Sequence, residues 1–168
     1  LLLNKISRDH PSYPKILLKR GSSYERLGIW SEAESDLKLS LKISSDQPYV
    51  LNYLAYSWLE QNIHVDEAIE MLQKADNLKK NDPYIIDSLG WAMYLKKNYI
   101  EAEKLLQRAV IIMPTDPIVN DHYADILFKL NKNIQARYVW EYVLGLSDTD
   151  NDLKKKINQK LIESIVRN

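Results

Sequence analysis

The sequence predicts an all-α solenoid of helix-turn-helix hairpins closed by a C-terminal capping helix, and three regularities predict it. Pro14, Pro48, Pro83 and Pro117 open equivalent segments spaced 34, 35 and 34 residues apart. The eighth residue of each segment is small, Gly21, Ala55, Gly90 or Ala124, as needed where two helices cross closely. Position 20 is always alanine, at Ala33, Ala68, Ala102 and Ala136, and position 24 is large and apolar, at Leu37, Leu72, Leu106 and Trp140. Within each segment the apolar residues follow helical three-and-four spacing, stop at a short polar turn and resume in a second helix.

The segment from Pro83 to Pro117 carries the pattern most fully. With Pro83 as position 1, Leu89 and Gly90 stand at positions 7 and 8, Met93 at 11, Tyr99 at 17, Ala102 at 20, Leu106 at 24, Ala109 at 27 and Pro114 at 32. This resembles the tetratricopeptide repeat, whose period is about 34 residues. The departures are few. Ser40 and Val143 replace Ala at position 27, Asn133 replaces the aromatic at position 17, and Pro114 alone supplies the proline at position 32. The resemblance implies a right-handed α-solenoid whose first helices line a concave groove that takes extended peptides or partner helices. The runs Leu51–Ser57, Asp87–Ala92 and Asn120–Asp125 are further similar to C-terminal repeats of bacterial, often extracytoplasmic, repeat scaffolds and lipoproteins. That similarity covers residues 48 to 146 and implies an adaptor on the envelope or periplasmic side, with a cytoplasmic setting left open.

In order along the chain, residues 1–11 read as the end of a preceding repeat, because Leu3, Ile6 and Pro11 match Leu106, Ala109 and Pro114 one repeat before Pro117. A chain starting there is expected to be a piece of a longer repeat protein. Repeat 1 spans 14–47, with Ser31 and Glu34 spaced as a capping box for its second helix. Repeat 2 spans 48–82 and holds one extra residue around Asn62-Ile63-His64-Val65, read as a longer turn, with Asp66 as the cap of the next helix. Repeat 3 spans 83–116. Repeat 4 spans 117–150, turns at Asn131-Lys132-Asn133 and stops near Gly145. In 151–168, Leu153, Ile157, Leu161 and Ile165 form one stripe opposite Lys154, Lys155, Gln159, Glu163 and Arg167, the pattern of a helix that covers the end of an array.

Composition excludes several functions. The 23 basic and 23 acidic residues cancel, so net charge gives no support for nucleic acid or an anionic membrane surface as partner. No cysteine is present, which removes disulfides, thiolate catalysis and cysteine metal sites but leaves the compartment open. No apolar run approaches the 18 or more residues of a membrane span. The chain has no Gly-rich phosphate loop, no His-Glu-x-x-His and no Gly-x-Ser-x-Gly. Neither an enzyme nor a cofactor is expected. Asp121, His122 and Asp125 are the one cluster with metal-ligand character, but Asp121 in a first helical turn is already favoured by the helix dipole, and no metal is expected.

Function is therefore expected on a surface. The resemblance maps the groove onto positions 2, 5, 9 and 12 of the first helices. On this chain those positions give a candidate partner-binding set of Asn52, Tyr56, Asp87, Trp91, Tyr94, Asp121, Asp125 and Phe128, flanked by Tyr49 and Tyr84. The set is aromatic and acidic, suited to a protein segment that carries apolar side chains with Lys or Arg. Basic residues are missing from the places where some relatives clamp a peptide C-terminus. The alternative reading is a structural piece whose groove is filled in cis or by a second copy of the chain.

Overall fold

A computed structural model describes residue 8 and residues 10–166. The residues that suggest an earlier repeat, Leu3 and Ile6, lie outside that range, as does Arg167. Among the described residues the chain forms helices and no strands: α1 (Tyr13–Arg26), α2 (Trp30–Ile43), α3 (Pro48–Glu60), α4 (Val65–Leu78), α5 (Pro83–Leu95), α6 (Tyr99–Ile112), α7 (Pro117–Lys129), α8 (Asn133–Gly145) and α9 (Asn151–Val166). Pro48, Pro83 and Pro117 each occupy the first turn of a helix, where the missing N–H would have no intrahelical partner. The chain divides into two compact units, residues 1–80 and 81–168.

In the first unit α1 pairs with α2, α3 with α4, and α2 touches α3. Leu17, Ala33, Leu37, Leu54, Trp58, Ala68 and Leu72 are buried. A Cβ on Gly21 would meet the Ala33 carbonyl oxygen and Leu37 Cγ, each at 3.2 Å, so the small residue permits the crossing. Ser40, at a position where alanine was expected, is buried because its hydroxyl donates to the Pro14 carbonyl at 3.0 Å. The extra residue of this unit does fall between α3 and α4. That turn holds two left-handed residues, Asn62 and His64, and the His64 ring rests on Trp58 at 4.8 Å.

In the second unit α5 pairs with α6 and α7 with α8, while α7 also touches α5 and α6, and α9 lies on α8. The core runs as three linked clusters. Ile86 with Ala109 and Val119 joins the hairpins at one end, Ala102 with Leu106 and Ile126 continues it, and Ala124, Leu127, Trp140 and Val143 receive Leu153 and Ile157 of α9. Gly90 sits at the tightest approach. An added Cβ would lie 2.7 Å from Leu106 Cγ.

Three local expectations are corrected. The α2 cap position is Ile29, without a side-chain cap bond, and Glu34 instead accepts from Trp58 Nε1 at 2.9 Å and pairs with Lys38. The α4 cap is His64 in a left-handed conformation, so Asp66 stands inside the first turn, where the helix dipole favours its charge. The buried side of α9 is Leu153, Ile157 and Ser164 with Leu161 partly covered, whereas Ile165 is 59% exposed. The helical period of 3.6 rotates a strict four-residue stripe around the helix, and by the fourth turn Ser164 has replaced Ile165 on the covered side.

Candidate interaction site

The second unit brings most of the candidate residues together on its first helices. Asp82 and Asp116 begin the arrangement by capping α5 and α7, each accepting two backbone N–H groups through its carboxylate. With those starts fixed, Asp87 and Trp91 fall one turn apart on α5, and Asp121 and Asp125 one turn apart on α7.

The two position-5 aspartates do not stand open. Asp87 is 5% exposed, and its carboxylate oxygens lie 3.0 and 3.1 Å from His122 Nδ1 on the neighbouring α7. Asp121 is 7% exposed and accepts from Trp140 Nε1 at 3.1 Å and from Lys160 Nζ of α9 at 2.8 and 2.9 Å. Lys160 also donates to Asp125 at 2.9 Å and stands 5.9 Å from the Trp140 ring centre. A carboxylate on one helix thus pairs with a basic side chain of a later helix twice in succession.

Burial and charge pull these groups in opposite directions. Burial alone lowers the His122 pKa, but Asp87, with Asp121 and Asp125 nearby, outweighs it and leaves the imidazole above its ordinary value. Lys160 behaves likewise: burial lowers it, while Asp125 and Asp121 raise it further. Asp125 is raised, first by burial and then by Asp121, against the pull of Lys160. The Tyr94 phenol is pushed up to about 12 by burial and by Asp125.

Trp91, which the sequence assigns to the groove, is half-buried, and its ring lies in a stack, 4.6 Å from Tyr94 and 4.5 Å from His122, with Nε1 buried and without a hydrogen-bond partner. Beside this stack opens a cleft of about 180 Å³ lined by Tyr94, Asp125, Phe128, Lys129, Trp140, Lys160 and Glu163. Phe128 is braced on Trp140 at 5.6 Å. The charged side chains of the lining balance, Asp125 and Glu163 against Lys129 and Lys160, with the buried Asp121 carboxylate behind Lys160.

The structure therefore gathers Asp87, Trp91, Tyr94, Asp121, Asp125 and Phe128 in one unit. Asn52 and Tyr56 belong to the first unit, both half-buried, with Asn52 Oδ1 buried and unpartnered. Lys160 is absent from the sequence-derived set, which draws only on the first helices of the four repeats. A signal was available: Asn151 stands 34 residues after Pro117, so α9 occupies the register of one more first helix. Among the described residues no group of three His, Asp or Glu side chains can hold a metal, since His122 turns to Asp87 while Asp121 and Asp125 turn to Lys160.

No protein-family model matches the chain. A TPR repeat-containing protein of Pseudomonas aeruginosa is 29% identical over 103 residues, covering 61% of this chain and 18% of that protein's length. Among solved structures, a tetratricopeptide repeat protein from Parabacteroides merdae superposes with a TM-score of 0.72 at 22% identity, over 90% of this chain and 60% of that one. PilW, described as a type IV pilus biogenesis factor, gives 0.77 at 16% identity, over 94% and 73% of the two chains. The first TPR of Spaghetti (RPAP3), solved with an HSP90 peptide bound, gives 0.65 at 16% identity, over 73% and 96%.

Proposed function

We propose that this chain, which has the fold of tetratricopeptide repeat proteins and is similar to one of them in sequence, is an interaction scaffold that holds a partner protein's segment against the first-helix face of its second unit. The cleft between Tyr94, Asp125 and Phe128 carries this reading, because it sets two aromatic rings beside the Asp125 carboxylate at a size suited to one side chain. The ligand class is an extended or helical segment bearing Lys or Arg beside apolar residues. Tyr94, Asp125 and Phe128 are assigned to ligand contact. Trp91, Asp87 and Asp121 support them, the first by stacking on Tyr94 and the others by fixing α7 and α9. Asn52 and Tyr56 are assigned to a separate candidate contact face of the first unit. Scaffolding without catalysis agrees with the fold, and the Asp87–His122 pair serves to join helices.

Fluorescence polarisation against arrayed labelled peptides tests the assignment, using matched sets in which arginine is exchanged for glutamate. Arginine-bearing peptides are expected to bind, and Phe128→Ala to weaken them by about 30-fold, the cost of about 2 kcal/mol for an anchoring aromatic. Equal affinity of a folded Phe128→Ala protein for the same peptides would remove the cleft from the ligand path.

A further inference from the structure

A second surface lies on α8, away from the cleft residues. Ile134 and Tyr138 are each 69% exposed and Tyr142 is 47% exposed, so three large apolar side chains stand at successive four-residue steps along one helix. Such a row is a straight ridge on a helix surface. The opposite side of α8 is already used, with Ala136, Trp140 and Val143 in the core. The ridge is also held in place, because the Tyr142 hydroxyl donates to the Pro114 carbonyl at 3.1 Å. Beside it lies a hollow of about 240 Å³ lined by Ile134, Arg137, Tyr138 and Glu141.

The charges on this face indicate what covers it. Arg137 and Glu141 lie four residues apart on the same flank of the ridge, one of each sign, and neither is paired with another charged side chain among the described residues. A two-fold axis midway between the levels of Arg137 and Glu141, about one residue beyond Tyr138, would set a second α8 antiparallel to the first. Ile134 then faces Tyr142 of the other copy, the two Tyr138 rings meet at the hollows, and each Arg137 comes beside the other copy's Glu141. A partner of single-sign charge would leave one of these two groups opposed by its like. The zero net charge of the chain adds no overall repulsion between copies. We propose that α8 is a self-docking surface on which a second copy of this chain binds through a two-fold antiparallel pairing of Ile134, Tyr138 and Tyr142, registered by Arg137 and Glu141. The interface is isologous, as expected for a closed dimer.

Sedimentation velocity of the 168-residue chain up to about 0.5 mM, the range suited to an interface below about 1,200 Å², reads the result. A monomer–dimer equilibrium is expected. Tyr138→Glu should weaken it at least tenfold while circular dichroism stays unchanged, because the side chain is exposed. Arg137→Glu alone should weaken it, and Arg137→Glu combined with Glu141→Arg should restore it, an outcome that general destabilisation would not give. A wild-type protein that stays monomeric overturns the proposal. So does a dimer that survives Tyr138→Glu, and if that dimer is lost in Phe128→Ala, copies pair through the cleft instead.

Discussion

The α5–α7 junction and the α7–α9 junction use the same device with different chemistry. In both, an aspartate at the fifth position of a first helix is buried and pairs with a basic side chain of a later helix. The partner is His122, a cation only when protonated, in one case and Lys160 in the other. The imidazole makes the first junction responsive to pH near neutrality, whereas the ammonium keeps the second charged throughout that range. The first unit has Leu18 and Asn52 at the matching positions, so the device belongs to the second unit. A repeat period can therefore preserve geometry while its sequence sets each junction's response to conditions.

Asp121→Ala should give the largest effect, because it strands the Trp140 N–H and removes one of the two carboxylates on Lys160. A loss of about 3 kcal/mol is expected, measured by urea denaturation with the second unit's tryptophans as probes. A loss below that of the Asp87→Ala protein would mean that Asp125 alone satisfies Lys160.

Gly90→Leu tests packing inside a hairpin against pairing between hairpins. The new side chain meets Leu106 where even a Cβ would stand at 2.7 Å, so a loss of about 1 to 3 kcal/mol is expected in thermal melts. Gly145→Leu is the control, since nothing lies within 4 Å of a Cβ there. Equal melting temperatures for the two variants would contradict the assigned crossing.

The pH response separates the two junctions directly. His122 is raised above its ordinary value of 6.5, so its pairing contributes fully below that value and is lost as pH rises through the higher folded-state pKa. Denaturant midpoints of the wild type should fall between pH 6 and pH 9 more than those of His122→Gln, the buffers spanning about that range around the histidine value. Lys160, raised from 10.5, contributes no change over the same interval. Parallel profiles for wild type and His122→Gln would show that the histidine is not protonated in the folded protein.

The smallest effect belongs to a more open pair. Lys132 is 43% exposed and bridges to Glu103, so Lys132→Ala should cost about 0.5 kcal/mol and lose even that at high salt.

Much of the fold was legible because its signals are local. Gly90, Ala102 and Leu106 recur at fixed offsets, and those offsets give the hairpin and its crossing point. The helix starts were less legible. Ser31 with Glu34 has the spacing of a capping box, yet Glu34 is claimed by Trp58, which lies 24 residues away. The candidate site was legible as a set of positions but not as a set of roles. Asp87 and Asp121 share a face with Trp91 and Asp125 by spacing alone, whereas their partners lie 35 and 39 residues further along the chain.

The sequence by itself determined that this chain folds as repeated helical hairpins, where each hairpin begins and crosses, and which face of α5 and α7 carries acids and aromatics. Those features follow from the helical period and from side-chain size, which act within one repeat. Only the tertiary structure decided that Asp87 and Asp121 join helices, that Trp91 stacks on Tyr94 and His122, and that Lys160 lines the cleft while bonding Asp121 and Asp125. Each of these depends on which side chain of the next packed helix comes within about 3 Å, and helix packing sets that distance.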